Sequence, residues 1–189
     1  MKFRTIAILA GAALGVAAMS GCAVKAPSYA PSITNVSTLK TSGTTPVALG
    51  TFSVRSGTAG GSSISLRGHN MRSPVGADYA AYVAEALRAD LEMAKRLDPK
   101  STIEITGLLL KNEVDANGMS KGDGEIQAQF IVRRDGQVRF DKVKSGKAEW
   151  ESSFAGAVAI PRAAQNYPFL VQSLLSSLYA DADFVAAIR

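Results

Sequence analysis

Residues 125–140 read EIQAQFIVRRDGQVRF. Ile126, Ala128, Phe130 and Val132 alternate with Glu125, Gln127, Gln129 and Arg133, the two-residue period of a strand with one buried face. Asp135-Gly136 follows. Asp-Gly supplies the two positive-φ positions of a type I′ turn, a strong short-range hairpin signal. Val138, Phe140 and the stretch to Trp150 then read as the return strand. An antiparallel hairpin is the centre of the expected fold.

Upstream, STIEITGLLLKNEV (101–114) alternates at Ile103 and Ile105 and becomes uniformly apolar at Leu108 to Leu110. It reads as a long strand with a bulge near Gly107. Residues 115–124 are a polar loop. Before that strand, Tyr79, Val83, Leu87 and Leu91 recur every four residues, while Arg88, Asp90, Glu92 and Lys95 fall on other faces. That is an amphipathic helix over about Val75 to Arg96, with Ser73-Pro74 as its start and Asp98-Pro99 as its stop. After Trp150, Pro161 marks a second helix start, with Pro168 as its true beginning or a kink. Leu170, Val171, Leu174, Leu175 and Leu178 form its apolar stripe. Residues 181–188 read as a short terminal helix. Further upstream, VALGTFSV (47–54) is strand-like, residues 56–63 are a Gly/Ser loop, and Ile64 to Leu66 is a strand fragment. The order predicts an α+β fold: an antiparallel sheet of about four strands with two helices packed on one face. The expected core includes Val83, Leu87, Leu91, Ile103, Ile105, Phe130, Val132, Leu174 and Leu178. The outer sheet face should carry Glu104, Thr106, Gln127, Gln129, Arg133 and Arg139.

The first residues have another purpose. Lys2 and Arg4 precede an uncharged run from Thr5 to Met19. That run is shorter than the ~20 apolar residues that span a bilayer and fits the apolar region of a secretory signal. Met19-Ser20-Gly21-Cys22 resembles a bacterial lipobox, with Met19 in place of the usual Leu, Val or Ile. Cys22 is the sole cysteine, placed where lipidation needs it. The expected organisation is a signal peptide over 1–21, a lipidated flexible tether over 22–46 and one α+β periplasmic domain over 47–189. The tether segment is rich in Ser, Thr, Pro and Ala; a coil of that length spans on the order of 25–30 Å.

The formal net charge of +5 falls to about +3 without Lys2 and Arg4. That is too small a bias to imply nucleic acid. His69 is the only histidine, so no zinc site is expected. Residues 56–63 lack the lysine of a phosphate-cradling loop. Asp115-Ala116-Asn117-Gly118 has its glycine fourth rather than sixth and no acid at the twelfth position, so it reads as a hairpin loop rather than a calcium loop. Asp181 and Asp183 read as a helix cap. No catalytic residue, cofactor or metal is expected.

Two surface features carry alternatives. From Arg133 to Lys147, six cations (Arg133, Arg134, Arg139, Lys142, Lys144 and Lys147) face Asp135 and Asp141, a local balance of +4. This is either a solvated hairpin on an edge ribbon or a contact for anionic headgroups, lipopolysaccharide or an acidic partner. Trp150, the only tryptophan, is either core packing or an interface anchor. The candidate interaction surface is Arg133, Arg134, Arg139, Lys142, Lys144 and Trp150.

With these residues placed, the chain resembles the YajG-type lipoproteins of Gram-negative bacteria, which are distantly similar to auxiliary lipoproteins of ABC-type envelope transporters. The resemblance runs from about Val47 to Arg189. It rests on the Cys22 lipobox, Ser73-Pro74, Tyr82-Val83-Ala84-Glu85-Ala86-Leu87, Ile103-Glu104-Ile105, Trp150-Glu151-Ser152-Ser153-Phe154 and Ala159-Ile160-Pro161. It implies a non-enzymatic α+β lipoprotein domain carrying three acyl chains, usually at the outer membrane. Ala23 stands where inner-membrane lipoproteins typically have Asp, which also implies outer-membrane sorting. The expected function is an accessory or binding subunit of an envelope assembly or transport system, held to the membrane through Cys22 and working with an envelope protein partner. The alternative is a lipid- or glycan-binding module.

Overall fold

The computed structural model describes residues 23–189, so Cys22 and the 1–21 signal lie outside the described residues. In chain order the elements are β1 (Val24–Lys25), α1 (Ile33–Thr41), β2 (Ala48–Val54), β3 (Ser63–Leu66), β4 (His69–Arg72), α2 (Tyr79–Met93), β5 (Ile103–Asp115), β6 (Lys121–Arg134), β7 (Gln137–Glu151), α3 (Gly156–Tyr179) and α4 (Ala182–Ala187). Four strands form one sheet in the order β2-β5-β6-β7, and three form another in the order β1-β4-β3.

The β6–β7 hairpin follows its sequence signal. Asp135 (φ 52°) and Gly136 (φ 78°) make the turn, and Ile126, Ala128, Phe130 and Val132 are buried. β5, β6 and β7 are an antiparallel meander. The sheet as a whole is mixed, not antiparallel, because β2 runs parallel to β5. A tight turn reverses a strand, whereas a crossover carrying a helix returns the chain in the same direction; α2 lies in the segment between β2 and β5. The register shift in β5 falls between Leu109 and Lys111 rather than at Gly107. Gly107 instead lies under Phe52, where a Cβ would come within 2.4 Å of the ring.

α2 packs on β2 and β5, and α3 on β6 and β7. All nine expected core residues are buried, and the opposite sheet face carries Glu104, Thr106, Gln127, Gln129 and Arg133, exposed or half-buried; Arg139, at the register shift between β6 and β7, is exposed beside Phe140 instead. Helix starts differ from expectation. The cap of α2 is Asp78, which accepts from the Ala81 amide at 2.9 Å. Gly76 at φ 62° interrupts the backbone before it, and the Ser73 hydroxyl serves a local turn with the Val75 amide. α3 begins at Gly156 and runs through both Pro161 and Pro168. Where β7 meets α3, Gly146 allows the approach: a Cβ there would lie 2.4 Å from the Leu174 amide nitrogen and 2.8 Å from the Leu170 oxygen. Gly146→Val should cost about 1–3 kcal/mol, as overpacking does. An unchanged denaturation midpoint would show that α3 does not seat against β7.

Residues 23–46 are not a flexible tether. β1 pairs in parallel with β4, and α1 buries Asn35, Val36 and Leu39. The tie is made by distant residues. The Asn35 side-chain Nδ2 donates to the Gln172 backbone oxygen at 3.0 Å, and Gln172 Nε2 donates to the Ala30 oxygen at 2.8 Å. Arg96, 1% exposed, donates to the oxygens of Thr45, Leu39 and Ile188 and to the Ser42 hydroxyl.

A further hairpin joins β3 and β4 through Arg67 (φ 51°) and Gly68 (φ 84°). Arginine rarely adopts this conformation, so the sequence carries no signal for the turn; His69 is exposed at the start of β4. The Arg67 guanidinium donates to the oxygens of Ala116, Gly118, Ser153 and Phe154, clamping two loops beside the turn. Among the described residues no helix is long and apolar enough to cross a membrane.

Candidate interaction surface

β7 is an edge strand of the four-stranded sheet. α3 partly covers that edge, since the Ser173 hydroxyl accepts from the Lys147 amide at 3.2 Å. Alternation along β7 turns Phe140 inward, and Lys142 and Lys144 share its parity. Both lysines reach the start of α4. Lys142 Nζ stands 2.7 Å from Asp183 Oδ2 and 3.2 Å from Asp181 Oδ2, and Lys144 Nζ stands 3.1 Å from Asp181 Oδ2. Asp181 also accepts from the Asp183 amide at 3.0 Å, so it does cap α4. Burial pushes the Asp181 carboxyl up, but Lys144, the Asp183 amide and Lys142 outweigh it and hold the group at about 2. Two of the hairpin's cations are therefore neutralised within the chain.

Arg134 donates to the backbone oxygens of Ala187 and Arg189, while its buried Nε has no partner. Arg139 reaches only Gln137 Oε1, at 2.9 Å. Arg133 lies in register with Glu104. Neither Arg133 nor Arg139 is among the ion pairs of the described residues. Arg134, Arg139 and Lys142 come together around an open cleft of about 600 Å³, with Phe140, Asp183 and Ala187 on its other walls. Such a cleft can take an anionic group on the arginines while an apolar neighbour rests on Phe140 and Ala187.

Arg133 is on the opposite sheet face from this cleft, and Lys144 is occupied below α4. Trp150 does not belong to the surface. It is 9% exposed at the far end of β7, packed so closely on Gly122 that a Cβ there would lie 2.5 Å from Nε1. Alternation along β7 places it on the helix side with Phe140 and Gly146. The loop at Asp115 is an Asx turn, its carboxylate accepting from the Asn117 amide at 2.7 Å. No cluster of metal-ligating side chains occurs among the described residues.

One titratable group departs from the sequence expectation: Asp90, expected on a face of α2 away from the apolar stripe, lies in the core. Asp90 is fully buried and accepts hydrogen bonds from Tyr29 at 3.1 Å and Tyr179 at 3.0 Å. No cation is among its hydrogen-bond or ion-pair partners. Burial raises its carboxyl to about 6, against the opposing pull of the two tyrosine hydroxyls. The signal was present: Val83, Ala86, Leu87, Asp90 and Leu91 follow the spacing of one helix face, so the apolar stripe contains a carboxylate.

No family model matches the chain, and no curated protein matches it. A solved structure shares its fold. Protein XCC0632 from Xanthomonas campestris, described with the family model DUF330, superposes with a TM-score of 0.56 at 11% identity, covering 86% of this chain and 95% of that one. The hypothetical protein CT253 from Chlamydia trachomatis gives a TM-score of 0.48 at 10% identity, covering 77% and 99%.

Proposed function

We propose that this chain is a non-enzymatic accessory or binding subunit of an envelope assembly or transport system, lipid-anchored through Cys22 at the periplasmic face of the outer membrane. The anchor reading rests on the charged start, the short apolar run and Cys22 as the sole thiol, together with the resemblance to YajG-type lipoproteins. The binding reading rests on one observation: Arg134, Arg139 and Lys142 converge on an open cleft at the hairpin end of an edge strand. Arg139 brings a cation that no carboxylate of the described residues pairs with. The partner that fits is an acidic protein segment docking on β7. A lipid- or glycan-binding module has less support, because the cleft is open and mainly lined by charge.

The test is crosslinking in intact cells with wild type and the Arg139→Glu variant. Arg139 holds no fold contact comparable to those of Arg134, so the variant should stay folded with stability changed by less than about 1 kcal/mol. Capture of the partner should drop, most strongly when the complex is re-formed at low salt. Equal capture at low salt would refute the cleft as the binding site.

A further inference from the structure

We infer that the end of the molecule carrying the Arg67–Gly68 turn rests on a phospholipid bilayer, with Met119 and Phe154 inserted among the headgroups. The inference builds on the Cys22 anchor proposed above. Only Ala23 lies between Cys22 and β1, which is held in register with Met71 and Arg72 of β4. At about 3.3 Å per residue, a lipidated Cys22 has some 7 Å of freedom from Val24. Val24 is paired three residues from Gly68. An anchor this short determines which end of the domain faces the membrane.

That end has the surface a bilayer would select. The Arg67 clamp holds loop 116–120 and loop 152–155 beside the turn. From these loops Met119 stands 81% exposed and Phe154 76% exposed. Two large apolar side chains held by one clamp at the same end of the molecule are the kind of exposed patch that marks an interaction site. Lys121 and Arg162 are exposed near them, and Lys25 is paired with Arg72 in β1–β4, both exposed. Like charges side by side repel, and an anionic lipid surface relieves that repulsion. Asp115, Asp123, Glu149 and Glu151 are exposed at the neighbouring strand ends and balance these cations in number, so the short anchor and the apolar loop tips carry the inference.

The test uses the full chain, purified with its anchor from membranes and reconstituted in vesicles of phosphatidylethanolamine and phosphatidylglycerol. Because acylation consumes the only native thiol, Met119→Cys, Phe154→Cys and Gln137→Cys each offer a single site for an environment-sensitive fluorophore. Labels at 119 and 154 should shift to the blue and lose intensity to nitroxide-bearing lipids, while the label at 137, on the distant hairpin, should do neither. Mass spectrometry reports acylation of Cys22 separately. An unacylated Cys22 overturns the anchor reading. An acylated chain whose labels at 119 and 154 are unquenched overturns the orientation alone and assigns the patch to a protein partner.

Discussion

Arg96→Ala should be the most damaging single substitution in this domain. The guanidinium is buried and makes four hydrogen bonds: to Thr45 O at 3.0 Å, Leu39 O at 3.2 Å, Ser42 Oγ at 2.6 Å and Ile188 O at 2.7 Å. None of these partners is a carboxylate. Burial lowers the guanidinium pKa, yet arginine keeps its charge in proteins. The cation is thus solvated by backbone dipoles. Hydrogen bonds to a charged group are each worth about 1.5–3 kcal/mol, and truncation strands their acceptors. Allowing for relaxation, the expected loss is about 3–5 kcal/mol, a large share of the ~5–15 kcal/mol that holds a typical domain. Arg96→Lys keeps the charge and loses the planar fork, so it should recover only part. Urea denaturation measures the loss, and hydrogen exchange locates it: α1 and α4 should lose protection together. A fall of less than about 1 kcal/mol, or loosening of one helix alone, would contradict the role assigned to Arg96.

The second large effect is a stability that declines between mildly acidic and neutral pH. Asp90 titrates at about 6 in the folded chain, above the ordinary 3.8. Between those values the folded protein holds a proton that the unfolded chain has released. The contribution is therefore complete below about pH 4 and is lost as pH rises through 6. A shift of this size corresponds to about 3 kcal/mol. Asp181, held at about 2, acts in the opposite sense and loses its contribution as pH falls toward 2. Together they place the maximum of stability near pH 4. Asp90→Asn keeps an acceptor for Tyr29 and Tyr179 and removes the charge. It should exceed wild type at pH 7 and converge with it near pH 4. Parallel pH profiles for the two proteins would exclude Asp90 as the source.

The sequence was most legible where one local rule decided the outcome. Alternation and Asp-Gly identify β6–β7, and the four-residue recurrence identifies α2. Parallel pairing of β2 with β5 was not legible, because strand-local patterns do not record which way a crossover returns the chain. Residues 23–46 lack apolar periodicity, and their order comes from Arg96 and Gln172, far along the chain. The cluster of hairpin cations was visible. Its partial neutralisation was not, since Asp181 lies 39 residues from Lys142 and 37 from Lys144. For Trp150 the two alternatives were stated correctly, and packing against Gly122 decides for the core.

The contacts of Arg96 also impose an order on synthesis. Its bonds span 51 and 57 residues back toward α1 and 92 forward to Ile188. Contacts this distant in sequence slow folding, because a large loop must close before they form. The forward bond cannot exist until residue 188 has left the ribosome, and until then α1 has only part of its docking site. The emerging polypeptide is therefore kept from completing this fold until all of α4 is available. If the chain is exported as proposed above, that delay leaves it unfolded for passage across the membrane.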